Sequence, residues 1–253
     1  MSYDLNRLGI DGLNAMQQEA MQAYRKSQSI VLLSPTGSGK TLAYLLPLLE
    51  SLESWGGKSR ETAGEGEGLC RAMVIVPSRE LAMQTQQVVR ALGSSIKAVA
   101  LYGGRPAMEE HRMLRGVEPQ LVVGTPGRLL DHLTKGNLAS SGIETLIIDE
   151  FDKCLELGFR DEMTQIFAHL PNVRKRVLLS ATDNPEITRF LPDYLRLDYL
   201  DNDEDQCERI QQFVVRSPVK DKLETARDLL LALGSQTTIL FVGFRESVER
   251  VYN

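Results

Sequence analysis

The chain has 253 residues, 42% hydrophobic and 25% charged, with a formal net charge of −5 at pH 7. That length exceeds one domain of ~100–200 residues, and the composition is that of an ordinary globular protein. The sequence has no apolar run of the ~18 residues a membrane span needs and no opening signal pattern, and its acidic balance excludes an overall electrostatic clamp on nucleic acid while leaving room for a local basic strip. Cys70, Cys154 and Cys207 are far apart and lack metal-ligand spacing. They read as reduced thiols, which makes the cytoplasm the expected compartment.

In chain order, Leu5, Leu8, Leu13, Met16 and Met21 recur at roughly helical intervals, interrupted by Gly9 and Gly12. Two short helices are predicted before Lys26. Ile30–Leu33 reads as a buried strand and Thr41–Leu52 as a long helix that Pro47 should kink or break. Residues 53–69 are rich in Gly, Ser and Glu and read as a mobile surface loop. Buried strands are predicted at Ala72–Val76, Ile96–Leu101, Gln120–Val123, Thr145–Ile148 and Arg176–Leu179. Helices should cover Arg79–Leu92, Met108–Leu114, the stretch ending near Leu133, and Phe159–Leu170. This alternation predicts an α/β fold, a doubly wound and mostly parallel sheet with ligands at the carboxyl ends of its strands. After the acidic run Asp201–Asp205 the pattern restarts. A strand is predicted at Ile210–Val215, a helix at Val219–Leu233, a strand at Thr238–Val242 and a helix from Arg245. About fifty residues are thin for an independent core. The expected division is therefore a first domain at 1–204 and the opening of a second, similar one at 205–253.

The chemistry concentrates at strand ends. Ser34, Pro35, Thr36, Gly37, Ser38, Gly39, Lys40 and Thr41 lie between a buried strand and a helix. Small residues let backbone N–H groups curl around phosphate oxygens, and the helix start adds its positive dipole end. In such a loop Lys40 reaches the β- and γ-phosphates and the Thr41 hydroxyl holds Mg²⁺. The plainer alternative is a glycine-rich turn that happens to contain Lys-Thr. Asp149 and Glu150 follow a later strand. The first can hold Mg²⁺ through its water shell and the second can orient or deprotonate the attacking water. Alone, the pair could equally cap the next helix; the phosphate loop on the same sheet favours the catalytic reading.

These residues carry a family resemblance. Pro77-Ser78-Arg79-Glu80-Leu81-Ala82, Gly103-Gly104, Thr125-Pro126-Gly127-Arg128, Asp149-Glu150-Phe151-Asp152 and Ser180-Ala181-Thr182 resemble, in order, the motifs of DEAD-box RNA helicases. The likeness covers the chain from about Gly9 onward. It implies an ATP-driven RNA remodeller of two RecA-like domains that close over ATP and a single strand. Gln17 matches the glutamine that reads the adenine edge. Asp152, Ser180 and Thr182 match the positions linking nucleotide state to strand separation, with Ser180 and Thr182 bonding toward Asp152. Pro77, Arg79, Gly103, Gly104, Thr125, Gly127 and Arg128 match positions that bind RNA through its backbone, without a sequence code. The resemblance implies no membrane partner and a monomer.

Four positions depart from the pattern: Ser34 replaces alanine, Ser78 replaces threonine, Phe151 replaces the alanine of the name motif, and no aromatic residue stands at its usual spacing upstream of Gln17. Tyr3 is the nearest ring. Phe241-Val242-Gly243 resembles the first motif of the family's second domain, but the later arginine-rich motif is not in these 253 residues. An arginine finger contributes ~10³–10⁵ in rate in related systems. The expectation is a chain that binds ATP–Mg²⁺ and hydrolyses it poorly. Two other readings stay open, a DNA helicase of the same superfamily and a non-catalytic, ATP-gated clamp on RNA. RNA against DNA stimulation separates the first, and Glu150→Gln the second.

Overall fold

Apolar four- and five-residue runs that are buried along their length can only be satisfied inside a parallel sheet covered on both faces. The computed structural model describes residues 3–56, 70–200, 211, 213–218 and 220–252. Its seven strands are β1 (Ser29–Leu33), β2 (Ala72–Ile75), β3 (Ala98–Leu101), β4 (Leu121–Gly124), β5 (Thr145–Ile148), β6 (Lys175–Ser180) and β7 (Leu195–Asp198). All pair in parallel, in the order β3-β4-β2-β5-β6-β1-β7. The helices are α1 (Ala15–Lys26), α2 (Lys40–Gly56), α3 (Arg79–Ala91), α4 (Ala107–Val117), α5 (Pro126–Thr134), α6 (Phe151–Glu156), α7 (Arg160–His169) and α8 (Ile187–Phe190). The architecture is the RecA-like α/β fold.

Side chains alternate across the sheet and build two cores. Ile30, Leu32, Val74, Val123 and Leu179 face one layer with Tyr44, Leu45 and Leu48 of α2. Val31, Leu33, Met73, Ile75 and Leu178 face the other with Leu129, Phe151 and Ile166.

Three expectations are corrected. Pro47 marks no break, for helix α2 is one element from Lys40 to Gly56, with Leu45, Leu46, Leu48 and Leu49 around the proline buried and packed. Strand β7 was not foreseen: it is a short edge strand, Leu-Arg-Leu-Asp, with only Leu197 buried, so it lacks the continuous apolar signature. In the second unit, Asp205–Asn253, helices α9 (Leu223–Leu233) and α10 (Arg245–Tyr252) form, but its described residues contain no strand. Ile239 and Phe241 of the expected Thr238–Val242 strand are 76% and 88% exposed; a strand needs a ladder partner, and none is present among the described residues. Of the other expected strand, Ile210 and Gln212 lie outside the described residues, as does most of the 53–69 loop and Cys207.

Candidate functional site

The strand order sorts the motifs into two groups. The phosphate loop follows β1, Ser180 ends β6 and Asp149 follows β5, so these three occupy adjacent strand ends, β5-β6-β1. Pairing of Leu33 with Ser180 and a bond from the Ser34 N–H to the Ser180 carbonyl, 3.0 Å, bring the loop against β6. Pro77, Thr125 and Gly103 follow β2, β4 and β3, the other three neighbours.

In the phosphate loop Lys40 is buried and turns back on its own loop, donating to the Ser34 carbonyl at 2.5 Å and the Pro35 carbonyl at 2.7 Å. Burial lowers its pKa, opposed by Asp149, Asp152 and Glu150 nearby. The Ser34 hydroxyl, at the position where the resemblance calls for alanine, donates to the Ser38 hydroxyl at 2.7 Å and braces the loop from within. Thr36 and Gly37 are exposed, and Lys40 and Thr41 open α2, where the first backbone N–H groups have no partner inside the helix.

Gln17 reaches this loop from α1. Its side-chain oxygen accepts from the Asn14 N–H at 3.0 Å while Asn14 accepts from the Gln17 N–H at 2.9 Å, a capping box. Its amide nitrogen donates to the Gly39 carbonyl at 3.1 Å. One N–H and one lone pair of the amide remain. Gly39 has φ +89°, and a Cβ there would lie 2.4 Å from the Gln17 nitrogen, so only glycine fits. Tyr3 does not join them. Its hydroxyl donates to Glu53 at 3.0 Å, near the far end of α2, about 20 Å of helix from Lys40.

Asp149 is 3% exposed, and burial, then the neighbouring Glu150, push its pKa up to about 6 against the pull of Lys40. One oxygen accepts from the Glu150 N–H at 2.9 Å. The buried Tyr44 hydroxyl lies beside Asp149 and Thr85 without a hydrogen bond of ordinary geometry. Glu150 itself sits at φ 50°, ψ 53°, a left-handed conformation that a residue with a Cβ adopts at a cost of about 1–2 kcal/mol. Behind the pair, Phe151 is fully buried and packs edge-on against Phe190, centroids 5.3 Å apart, which in turn meets Phe167 at 5.4 Å.

The expected bond from Ser180 and Thr182 toward Asp152 is not made. The Ser180 hydroxyl donates to the Thr182 carbonyl at 2.7 Å and accepts from the Thr182 N–H at 3.3 Å, so it is satisfied within its own turn. One Asp152 oxygen is left buried with no hydrogen-bond partner. Among the described residues no three His, Cys, Asp or Glu side chains converge as a metal cage. A cation at this site would need phosphate and water oxygens to complete its shell, the usual arrangement for Mg²⁺. An unpartnered Asp152 oxygen and a desolvated Asp149 beside Lys40 fit that ion paired with phosphates.

On the other three strand ends, Pro77 is buried, and the Ser78 hydroxyl caps α3 by accepting from the Leu81 N–H at 3.2 Å, so the serine keeps the threonine's capping group. Arg79 is exposed and paired only with Glu80. Gly103, Gly104 and Gly127 are exposed, and Gly104 has φ +95°. Thr125 stands at the N-cap position of α5 ahead of Pro126, without a side-chain cap bond. Arg128 is not the free cation a surface motif would suggest: its side chain is 16% exposed and held at 3.2 Å from Glu110. Glu110 and His132 are buried polar residues that no sequence signal singled out.

A model of the DEAD/DEAH box helicase family matches residues 14–190. The chain is 34% identical over 249 residues to eukaryotic initiation factor 4A of Zea mays, covering 95% of this chain and 57% of that protein. It is 29% identical over 261 residues to the ATP-dependent RNA helicase DBP4 of Scheffersomyces stipitis, covering 98% of this chain and 32% of that one. Among solved structures, a hypothetical ATP-dependent RNA helicase from Sulfolobus tokodaii superposes with a TM-score of 0.66 at 28% identity, over 98% of this chain and 69% of that one. The DEAD-box helicase Mss116, bound to ssRNA and UDP-BeF, superposes with a TM-score of 0.66 at 26% identity, over 77% of this chain and 42% of that one. The chain thus spans little more than half the length of the maize relative. Six motifs in order, a RecA-like sheet that carries them at one end, and a family match over most of its length agree: this chain belongs to the DEAD/DEAH box helicase family.

Proposed function

We propose that this chain is the ATP-binding core of an ATP-dependent RNA helicase, in which RNA-stimulated hydrolysis drives local duplex separation or remodelling of RNA–protein complexes. The observation that carries the reading is the grouping of strand ends, nucleotide residues on β5-β6-β1 and strand-contact residues on β3-β4-β2. Backbone N–H groups between Ser34 and Thr41 cradle the phosphates. Lys40 exchanges its loop carbonyls for the β- and γ-phosphate oxygens. The remaining N–H and lone pair of Gln17 read the adenine edge; with Tyr3 tied to Glu53, that ring takes no part. Thr41 and Asp149 hold Mg²⁺, which neutralises phosphate charge when bound. Glu150 orients the attacking water and accepts its proton. Asp152, Ser180 and Thr182 relay the nucleotide state once Ser180 leaves its own turn.

Pro77, Arg79, Gly103, Gly104, Thr125, Gly127 and Arg128 form the surface for the RNA backbone. Residues 205–253 are read as the opening of the second RecA-like domain. Action as a monomer in the cytoplasm belongs to the same reading, supported by Cys70 and Cys154 being buried free thiols. The test is ATP binding and hydrolysis by the purified chain with Mg²⁺, with and without single-stranded RNA or DNA. Expected are tight MgATP binding, loss of that binding by about 10²-fold in Lys40→Ala, and slow turnover. Robust RNA-stimulated turnover by the 253 residues would overturn the slow-turnover part, and equal stimulation by DNA would overturn the choice of RNA.

A further inference from the structure

Beneath the exposed turn at Gly103–Arg105 lies a carboxylate that none of the motifs accounts for. Glu110, in the first turn of α4, is 1% exposed. One of its oxygens accepts from the backbone N–H of Tyr102 at 3.1 Å. The other accepts from Nε2 of the fully buried His132 at 2.9 Å and forms an ion pair with Arg128, whose Nε lies 3.2 Å away. Arg128 also donates to the Arg105 carbonyl at 2.8 Å. Nδ1 of His132 lies 3.3 Å from the Asn137 amide nitrogen. With that nitrogen donating, the ring carries its hydrogen on Nε2 and donates to Glu110. Every member is partnered, which is the condition for a carboxylate to sit so deep. The network joins the turn after β3, the helix α4, both ends of α5 and the turn that follows it.

We propose that Glu110 is a positioning residue that clamps the turn Tyr102–Arg105 to the first turn of α5, so that the two present one continuous surface to the RNA backbone. The proposal rests on the RNA reading given above. Two physical effects oppose each other in a variant lacking the carboxylate. Removing a negative charge and freeing Arg128 should strengthen binding to a polyanion. Releasing the turn should weaken it, because the exposed backbone around Gly103 and Gly104 no longer keeps its register with Thr125 and Gly127. The clamp requires the second to win.

The experiment titrates the chain and its Glu110→Ala and Glu110→Gln variants with a short labelled single-stranded RNA in the presence of MgATP. MgATP affinity and amide hydrogen exchange at Tyr102–Arg105 are measured separately. Expected is about tenfold weaker RNA binding in Glu110→Ala, a smaller loss in Glu110→Gln, which keeps an acceptor oxygen, unchanged MgATP affinity, and faster exchange at Tyr102–Arg105 in both variants. Should Glu110→Ala not fold, Glu110→Gln carries the same comparison. Unchanged or tighter RNA binding overturns the proposal, as does unchanged exchange. No RNA binding by the unaltered chain overturns the RNA reading, and with it the role of the clamp, whereas unchanged exchange overturns the clamp alone.

Discussion

The two halves of the same sheet end are finished to different degrees. Around β3 and β4 the polar groups of one network, Glu110, His132, Arg128, Asn137 and the Tyr102 N–H, are closed on one another, although Nδ1 of His111 on α4 has no partner. Around β5, β6 and β1 they are not. Lys40 falls back on loop carbonyls, Asp152 has a buried oxygen with no partner, Asp149 is desolvated beside another acid, and Glu150 holds a left-handed backbone. On the proposed reading, a surface that grips a repeating backbone works when its parts are fixed beforehand, whereas a site that takes up, cleaves and releases a highly charged ligand needs groups whose full satisfaction comes from that ligand.

That contrast has a sign, and mutations should expose it. The largest effect is expected on the finished side. His132→Ala leaves a buried Glu110 oxygen short of a donor and opens a cavity, so it should destabilise the chain by about 3 kcal/mol in chemical denaturation. On the unfinished side the direction reverses. The Asp149 pKa is raised from 3.8 to about 6, so the folded state holds the proton more tightly than the unfolded one. Its penalty is absent below about pH 4, grows as pH rises toward 6 and is constant above that. Without metal or nucleotide, Asp149→Asn should therefore raise stability at pH 7.5 by up to about 3 kcal/mol, less whatever Lys40 loses in a partner, and the gain should vanish near pH 4. A loss of stability at pH 7.5 would show that Asp149 is already satisfied.

Next in size, Glu150→Gly relieves the left-handed backbone and should stabilise by about 1 kcal/mol while lowering any measured hydrolysis by about 10²-fold or more. A variant that gains stability and keeps hydrolysis would remove Glu150 from the chemistry. The smallest effect belongs to Ser34→Ala, which deletes one hydroxyl bond to Ser38. A cost of about 1 kcal/mol or less is expected, with MgATP affinity within about twofold, since the proposed phosphate contacts use backbone groups rather than this hydroxyl.

Phe151 belongs to the finished category although it stands inside the nucleotide motif. As a residue in a sequence motif it was only a departure from alanine. In three dimensions it fills the space behind the acids and meets Phe190 edge-on, which in turn meets Phe167, removing no reacting group.

Much of this molecule could be read from one dimension. Buried parallel strands announce themselves because both faces are covered and the apolar run is unbroken; β1 to β6 were each anticipated for that reason. The candidate phosphate loop and the Asp149–Glu150 pair stood out because phosphate chemistry demands small residues, a lysine and carboxylates at particular strand ends, and the fold places both within the adjacent strand ends β5-β6-β1. Strand β7 escaped because an edge strand with one buried residue carries no such pattern, and the Thr238–Val242 run misled because apolar content cannot supply a ladder partner. What only the tertiary structure decided is which strand ends become neighbours, and hence which motif residues meet. Strand order is set by crossovers that local sequence does not encode. For the same reason, the sequence could offer Arg128 and Gln17 as candidate site positions but not show that Glu110 holds the one and that Gly39 must yield room to the other.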